Sequence, residues 1–200
     1  MFWKKLEKSR IELERKLLKA EADLSFLNAK SDSFLGEKIV NSLSEKENLH
    51  QKYADFLLNL SPLTTDSTNS INQEIQLLQD LIQLYTSVLP EPTYHKVDWD
   101  IEDQETPVPA LILFPIVTNA LIHGYNKMEK YPLKIKLRIK SSLLQLEVSN
   151  RVNHYLINQA DHPLMQQLES RLKYFYSDSF NLFVNSNSNL FKVTLTIKFH

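Results

Sequence analysis

The sequence predicts an α+β protein: a long helical arm and a helical hairpin come first, and a mixed sheet with helices on one face follows. Three observations predict it. A seven-residue apolar rhythm runs through the first forty or so positions, with no proline and with no glycine before Gly36. A proline break, Leu89-Pro90-Glu91-Pro92, then interrupts the chain. Beyond it, alternating strand-like runs and two helix-like segments follow in the order β-α-β-β-α-β-β, which layers helices against a mixed sheet.

In the first segment, Trp3, Leu17 and Leu24 occupy one heptad position, with Arg10 interrupting, and Leu6, Leu13, Ala20, Leu27 and Phe34 occupy the other. Lys, Arg and Glu fill the positions between, so the pattern predicts a coiled coil of about four heptads. Its expected dimer seam is Leu6, Leu13, Leu17, Leu24, Leu27 and Phe34. The same pattern also allows one amphipathic helix packed on its own domain. Ser44 and Glu47 have capping-box spacing and open a second helix to about Leu60. Ser61 to Asn69 is turn-rich, and Ser70 with Gln73 caps a third helix with Ile71, Ile75, Leu78, Ile82 and Tyr85 on one face. The proline break sets an expected boundary between a helical region, 1–90, and a second domain, 91–200. In the second domain Tyr94–Ile101 alternates like a strand, and Pro107-Val108-Pro109 introduces an apolar helix from Ala110 to Tyr125. Leu133–Ile139 and Leu143–Val148 alternate again, about Pro163–Tyr176 is helical, and Phe180–Val184 with Phe191–Phe199 makes a final hairpin.

Composition narrows the function. A net charge of −1 excludes global attraction to nucleic acid or anionic lipid, while leaving room for a local basic patch. No run approaches the roughly 18 apolar residues of a membrane span. Met1 to Lys8 lacks the apolar run of a secretory signal, so a cytoplasmic location is expected. The absence of cysteine removes disulfides, thiolate ligands and a cysteine nucleophile. Only Gly36 and Gly124 are glycine, so a phosphate-cradling loop is hard to place. His50 and His95 read as surface histidines. The acidic run Asp98, Asp100, Glu102, Asp103 and Glu105 reads as a solvated edge, and Lys134, Lys136, Arg138 and Lys140 as an exposed sheet face. No Ser-His-Asp or metal-ligand pattern stands out.

Ordered stretches nevertheless resemble the LytS/YehU-type sensor histidine kinases, whose ATP domain has the Bergerat (GHKL) fold. The run from Pro109 to Gly124, PALILFPIVTNALIHG, is similar to the family's ATP-site helix, P-x-x-x-L-Q-P-L-V-E-N-A-I-x-H-G. Asp23 to Lys30, continuing to Val40-Asn-Ser-Leu43, resembles E-L-x-x-L-K-x-Q-I-N-P-H-F-L-F-N-x-L-N-x-I. Ile71 to Ile75 is like L-x-E-E-L, and Arg171-Leu172 with Tyr176 is like R-L-x-x-x-Y near the lid. The resemblance covers about residues 20–200. It implies a Bergerat-type sandwich after a dimerisation and phosphotransfer-like region.

The departures are as informative. Phe34 stands where the phosphoacceptor histidine belongs and Ser33 where its proline belongs, and phenylalanine has no nucleophilic nitrogen. Asn119 is retained where the family's asparagine helps hold Mg²⁺, but Thr118 replaces the preceding glutamate. His123 is retained one turn from Asn119 and also fits a helix C-terminus. Around Asn150, the V-x-D-N-G-x-G motif is replaced by VSNRVN, with Ser149 read in the aspartate's place and Arg151 intruding toward the ligand. His162 to Leu168 replaces the glycine-bearing lid. The expected site is therefore vestigial: Asn119, His123 and Asn150, with no catalytic residue, no metal and no cofactor. The expected function is a catalytically inactive, homodimeric module of a two-component system, docking a response regulator or an intact histidine kinase. The alternative is a divergent active kinase using ATP with Mg²⁺, and the chain also suits the cytoplasmic piece of a membrane receptor.

Overall fold

The computed structural model describes residues 2–42, 47–89, 92–124, 126–152 and 163–199. The chain runs α1 (Phe2–Lys30), α2 (Ser33–Asn41), α3 (Glu47–Leu60), β1 (Thr68–Ser70) and α4 (Ile71–Val88). It continues with β2 (His95–Ile101), β3 (Pro107–Pro109), α5 (Phe114–His123), β4 (Leu133–Lys140) and β5 (Leu143–Arg151). α6 (Pro163–Tyr176), β6 (Phe180–Ser186) and β7 (Leu190–Lys198) complete it. This is the expected α+β architecture.

The main sheet has the order β2-β4-β5-β7-β6. β2 lies parallel to β4, and the other pairs are antiparallel. Alternation sends Leu133, Ile135, Leu137 and Ile139 of β4, with Leu144, Leu146 and Val148 of β5, into the core. The other face carries the charges, and it neutralises itself. Asp98 lies beside Lys136 and Asp100 beside Arg138 across the β2–β4 ladder, and Lys140 Nζ reaches Asp100 Oδ2 at 3.0 Å. Glu102 accepts from the Ser141 N–H at 2.7 Å, while Asp103 accepts from the Glu105 N–H and the Thr106 hydroxyl. The acidic run and the basic stripe thus answer each other.

The helices before the proline break share one core with the sheet after it: Phe26, Leu35, Ile39 and Phe56 join the same buried cluster as Ile135 and Leu195. Phe56 stacks on Phe114 of α5 at 6.4 Å. α4 opens on the expected capping box, with the Ser70 N–H donating to Gln73 Oε1 at 2.9 Å and the Gln73 N–H to Ser70 Oγ at 3.3 Å. Ser44 of the other expected box lies outside the described residues.

Two elements depart from expectation. α1 stops at Lys30 and does not continue to Phe34, because Asp32 adopts extended backbone and accepts from the Leu35 N–H, starting α2 afresh. Phe34 therefore stands on α2, off the α1 stripe. The second departure is α5, which starts at Phe114 and not at Ala110. Residues 107–109 pair instead with β1, and Leu111 takes a left-handed φ of 61°.

α1 has two faces. Ala22, Ser25 and Phe26 are buried on the side that meets α6. Leu6, Leu13, Leu17, Leu24 and Leu27 form the other stripe, each between 46% and 69% exposed. Among the described residues no helix is long and apolar enough to cross a membrane.

Candidate functional site

The junction of α1 and α2 faces α5 across a cavity of about 370 Å³, lined by Asp32, Phe34, Thr118, Ile122, His123 and Gln167 among others. Asp32 shapes the near wall. Its Oδ1 caps α2 at 3.0 Å, and its Oδ2 accepts a very short hydrogen bond from the Tyr85 hydroxyl. Burial, reinforced by the Asp32 charge, raises the Tyr85 hydroxyl above its ordinary pKa, so it stays a donor. Phe34 stacks on the Tyr85 ring with centroids 6.1 Å apart, and Lys38 Nζ lies 5.3 Å from the Phe34 centroid. Phe34 of α2 thus faces Thr118, Ile122 and His123 of α5 across the cavity and presents a hydrocarbon ring.

On the far side of α5, Asn126 and Asn150 meet at Gly124. A Cβ there would stand 2.4 Å from the Ala120 carbonyl oxygen, 2.8 Å from Asn150 Nδ2 and 2.9 Å from Asn126 Nδ2, so any side chain would displace them. Asn126 Nδ2 donates to the Ala120 carbonyl and Asn150 Nδ2 to the Arg151 carbonyl, each at 2.8 Å. Asn119 is 1% exposed on α5. The Oδ1 atoms of Asn119, Asn126 and Asn150 accept no hydrogen bond from the described residues. The structure therefore brings Asn150 to Gly124 and Asn126, and His123 to the Phe34 cavity. Asn126 was not legible as a site residue; its only signal was a polar side chain just beyond the apolar helix.

The pleat also revises two positions. A V-x-D motif puts its valine and aspartate on one face, two residues apart. Val148 and Asn150 share the buried face here, each 1% exposed. Ser149 lies on the opposite face, between Lys134 and Lys192 in the ladder. Arg151 follows it there: its guanidinium lies 5.3 Å from the Tyr131 centroid and Nη1 donates to Met128 Sδ at 3.2 Å.

Asn150 keeps an acceptor without the charge of an aspartate. Thr118, beside Asn119 on α5, offers a hydroxyl and no carboxylate. Among the described residues no group of three His, Asp or Glu is placed to hold a metal.

A buried polar network anchors the backbone just ahead of α5. Glu74 is fully buried on α4; its Oε2 accepts from the Leu111 N–H at 2.9 Å and Asn69 Nδ2 at 3.1 Å, and its Oε1 from the Leu113 N–H at 3.2 Å. These bonds satisfy amides that the late start of α5 leaves free. Burial pushes the Glu74 carboxyl above its ordinary pKa, against the pull of the two backbone amides, Asn69 and the Arg171 charge. Arg171 is fully buried too, with Nη2 donating to the Ala110 carbonyl at 2.6 Å and the guanidinium 5.1 Å from the Phe26 centroid. Burial draws it down to about 10, opposed chiefly by Glu74. Tyr176 is raised by burial and then by the Glu74 charge. The residues matching E-E-L and R-L-x-x-x-Y are therefore one scaffold beneath α5.

No protein-family model matches the chain, and comparison with curated proteins finds no match. Among solved structures it is similar to the Acinetobacter baumannii histidine kinase AdeS, with 10% identity, a TM-score of 0.49 and 80% of each chain covered. The histidine kinase domain of the blue-light activated kinase from Erythrobacter litoralis EL346 is 11% identical, with a TM-score of 0.47, covering 89% of this chain and 95% of that one. A histidine kinase from Burkholderia phymatum STM815 is 13% identical, with a TM-score of 0.44, covering 96% and 97%.

Proposed function

We propose that this chain is a degenerate relative of the LytS/YehU-type sensor histidine kinases, serving a two-component system as a dimeric interaction module without phosphotransfer of its own. One observation carries the reading: Phe34, at the phosphoacceptor position, faces Thr118 and His123 of α5 across a shared cavity. The layout of acceptor position against ATP-site helix is kept, and the nucleophile is replaced by a ring that stacks on Tyr85. Region 1–90 is the dimerising part and region 91–200 an ATPase-like docking platform. The exposed α1 stripe, Leu6, Leu13, Leu17, Leu24 and Leu27, is the homodimer seam. The partner is a cytoplasmic response regulator or an intact kinase, and no cofactor is required. Titration calorimetry with ATP and Mg²⁺ tests the reading. No heat of binding is expected at about millimolar nucleotide, since amide-for-carboxylate replacement alone weakens a charged hydrogen bond worth about 1.5–3 kcal/mol. Submicromolar binding would overturn it.

A further inference from the structure

The open face of the sheet is neutral by pairing except at one end. There the β2–β4 ladder sets Lys96 beside Lys134, a like-charged pair, where the next two rungs set an aspartate against a cation. The 126–132 loop, which leads into β4, adds Lys130, and Arg151 ends β5. Lys130 Nζ and the Arg151 guanidinium lie 5.6 and 5.3 Å from the centroid of the same Tyr131 ring. Lys134, Lys130 and Arg151 make no ion pair with a carboxylate among the described residues; Lys192 nearby is held by Glu147 at 2.5 Å. These three cations border a cavity of about 330 Å³ that also includes Tyr131, Ser149, Asn150 and Asn189 and, among the described residues, no acidic side chain. Ser149, only 9% exposed, adds a hydroxyl from the floor of the sheet.

We propose that this cavity binds a small organic phosphate carrying two or more negative charges. Concavity decides between a small molecule and an acidic protein surface: the volume falls within the roughly 300–1,000 Å³ of small-ligand sites, whereas the flat remainder of the face is already charge-paired. Three cations with a hydroxyl and an amide match the acceptor-rich, compact charge of a phosphate group, and the Arg151 guanidinium supplies a planar fork for it. The aromatic ring and the Pro132–Leu190 side leave room for an organic moiety. The lining takes no residue from α5 and none from the Phe34 cavity, and it shares Asn150 with the cluster at Gly124.

Inorganic pyrophosphate, titrated into the full chain and followed by amide NMR shifts at low salt, tests the proposal. Shifts are expected to centre on Lys130, Tyr131, Ser149 and Arg151. Arg151→Gln with Lys134→Gln, both outside the core, is expected to weaken binding by about tenfold to a hundredfold per lost charge-assisted bond. Raising the salt should weaken it further. Shifts centred on Asn119 and His123 would overturn the proposal, as would affinity unchanged in the double variant. An acidic peptide that bound the same residues more tightly than pyrophosphate would also overturn it.

Discussion

Replacing Glu74 with alanine tests how α5 is held. The carboxylate accepts three hydrogen bonds, from Leu111, Leu113 and Asn69, all buried. Each orphaned donor costs about 1–3 kcal/mol, though losses within one network do not add fully. Arg171, fully buried, would also lose the Glu74 charge that chiefly opposes the cost of its burial. Three orphaned buried donors, costing somewhat less than their sum, take a large share of the roughly 5–15 kcal/mol that a folded domain commands. Glu74→Ala is therefore expected to lower stability by about 3–5 kcal/mol. In urea, with m of about 1–3 kcal/mol/M, the midpoint followed by circular dichroism should fall by more than about 1 M. Glu74→Gln keeps one acceptor and should lie between. Glu169→Ala, exposed on the same helix as Arg171, should stay within about 0.5 kcal/mol of the parent. A Glu74→Ala loss under about 1 kcal/mol would refute the idea that this carboxylate fixes the start of α5.

Other expectations concern the arm, the junction and pH. Leu13→Glu with Leu17→Glu should convert a dimer to a monomer in sedimentation without changing the urea midpoint, because both side chains are exposed in the single chain. Each leucine buried in a seam contributes about 1.5–3 kcal/mol, so association should weaken at least about a hundredfold, and unchanged sedimentation would count against the seam. Asp32→Ala removes the α2 cap and leaves the Tyr85 hydroxyl without its acceptor, for a combined loss of about 2–4 kcal/mol in denaturant unfolding. Tyr85→Phe in the Asp32→Ala background should then recover part of it. Because Glu74 is raised in the folded state, the native chain holds that proton more tightly than the unfolded one. Its contribution is full below the ordinary carboxyl range and is lost as pH rises through the folded value. The stability difference between parent and Glu74→Gln should therefore shift with pH across that window. A constant difference would show that Glu74 titrates alike in both states.

Local periodicity made much of the fold legible. The alternation of Leu133–Ile139 and Leu143–Val148, the Ser70–Gln73 box and the Pro163–Tyr176 helix all appear where their patterns place them. What escaped was non-local. Residues 68–70 pair with 107–109 across a whole helix, so nothing in either tripeptide announces a strand. The heptad pattern extends through Phe34, but one capping aspartate at position 32 ends it early. A signal for the network was present: Glu74 falls among Ile71, Ile75 and Leu78, and Arg171 between Leu168 and Leu172, which marks both as charges on an apolar helix face. Their partners are backbone groups of residues 110–113, which sequence spacing does not supply. Asn150 shows how a one-residue shift on a strand exchanges faces: its placement opposite Ser149 follows from the pleat and not from aligned letters.

Under the function proposed above, Phe34 leaves this chain unable to accept a phosphoryl group at that position. Incubation with γ-labelled ATP and Mg²⁺, alone and with a candidate response regulator, tests it most directly. No acid-labile label is expected on this chain, and none passed to the regulator. Stable incorporation at a histidine of this chain, or transfer to the regulator, would contradict it.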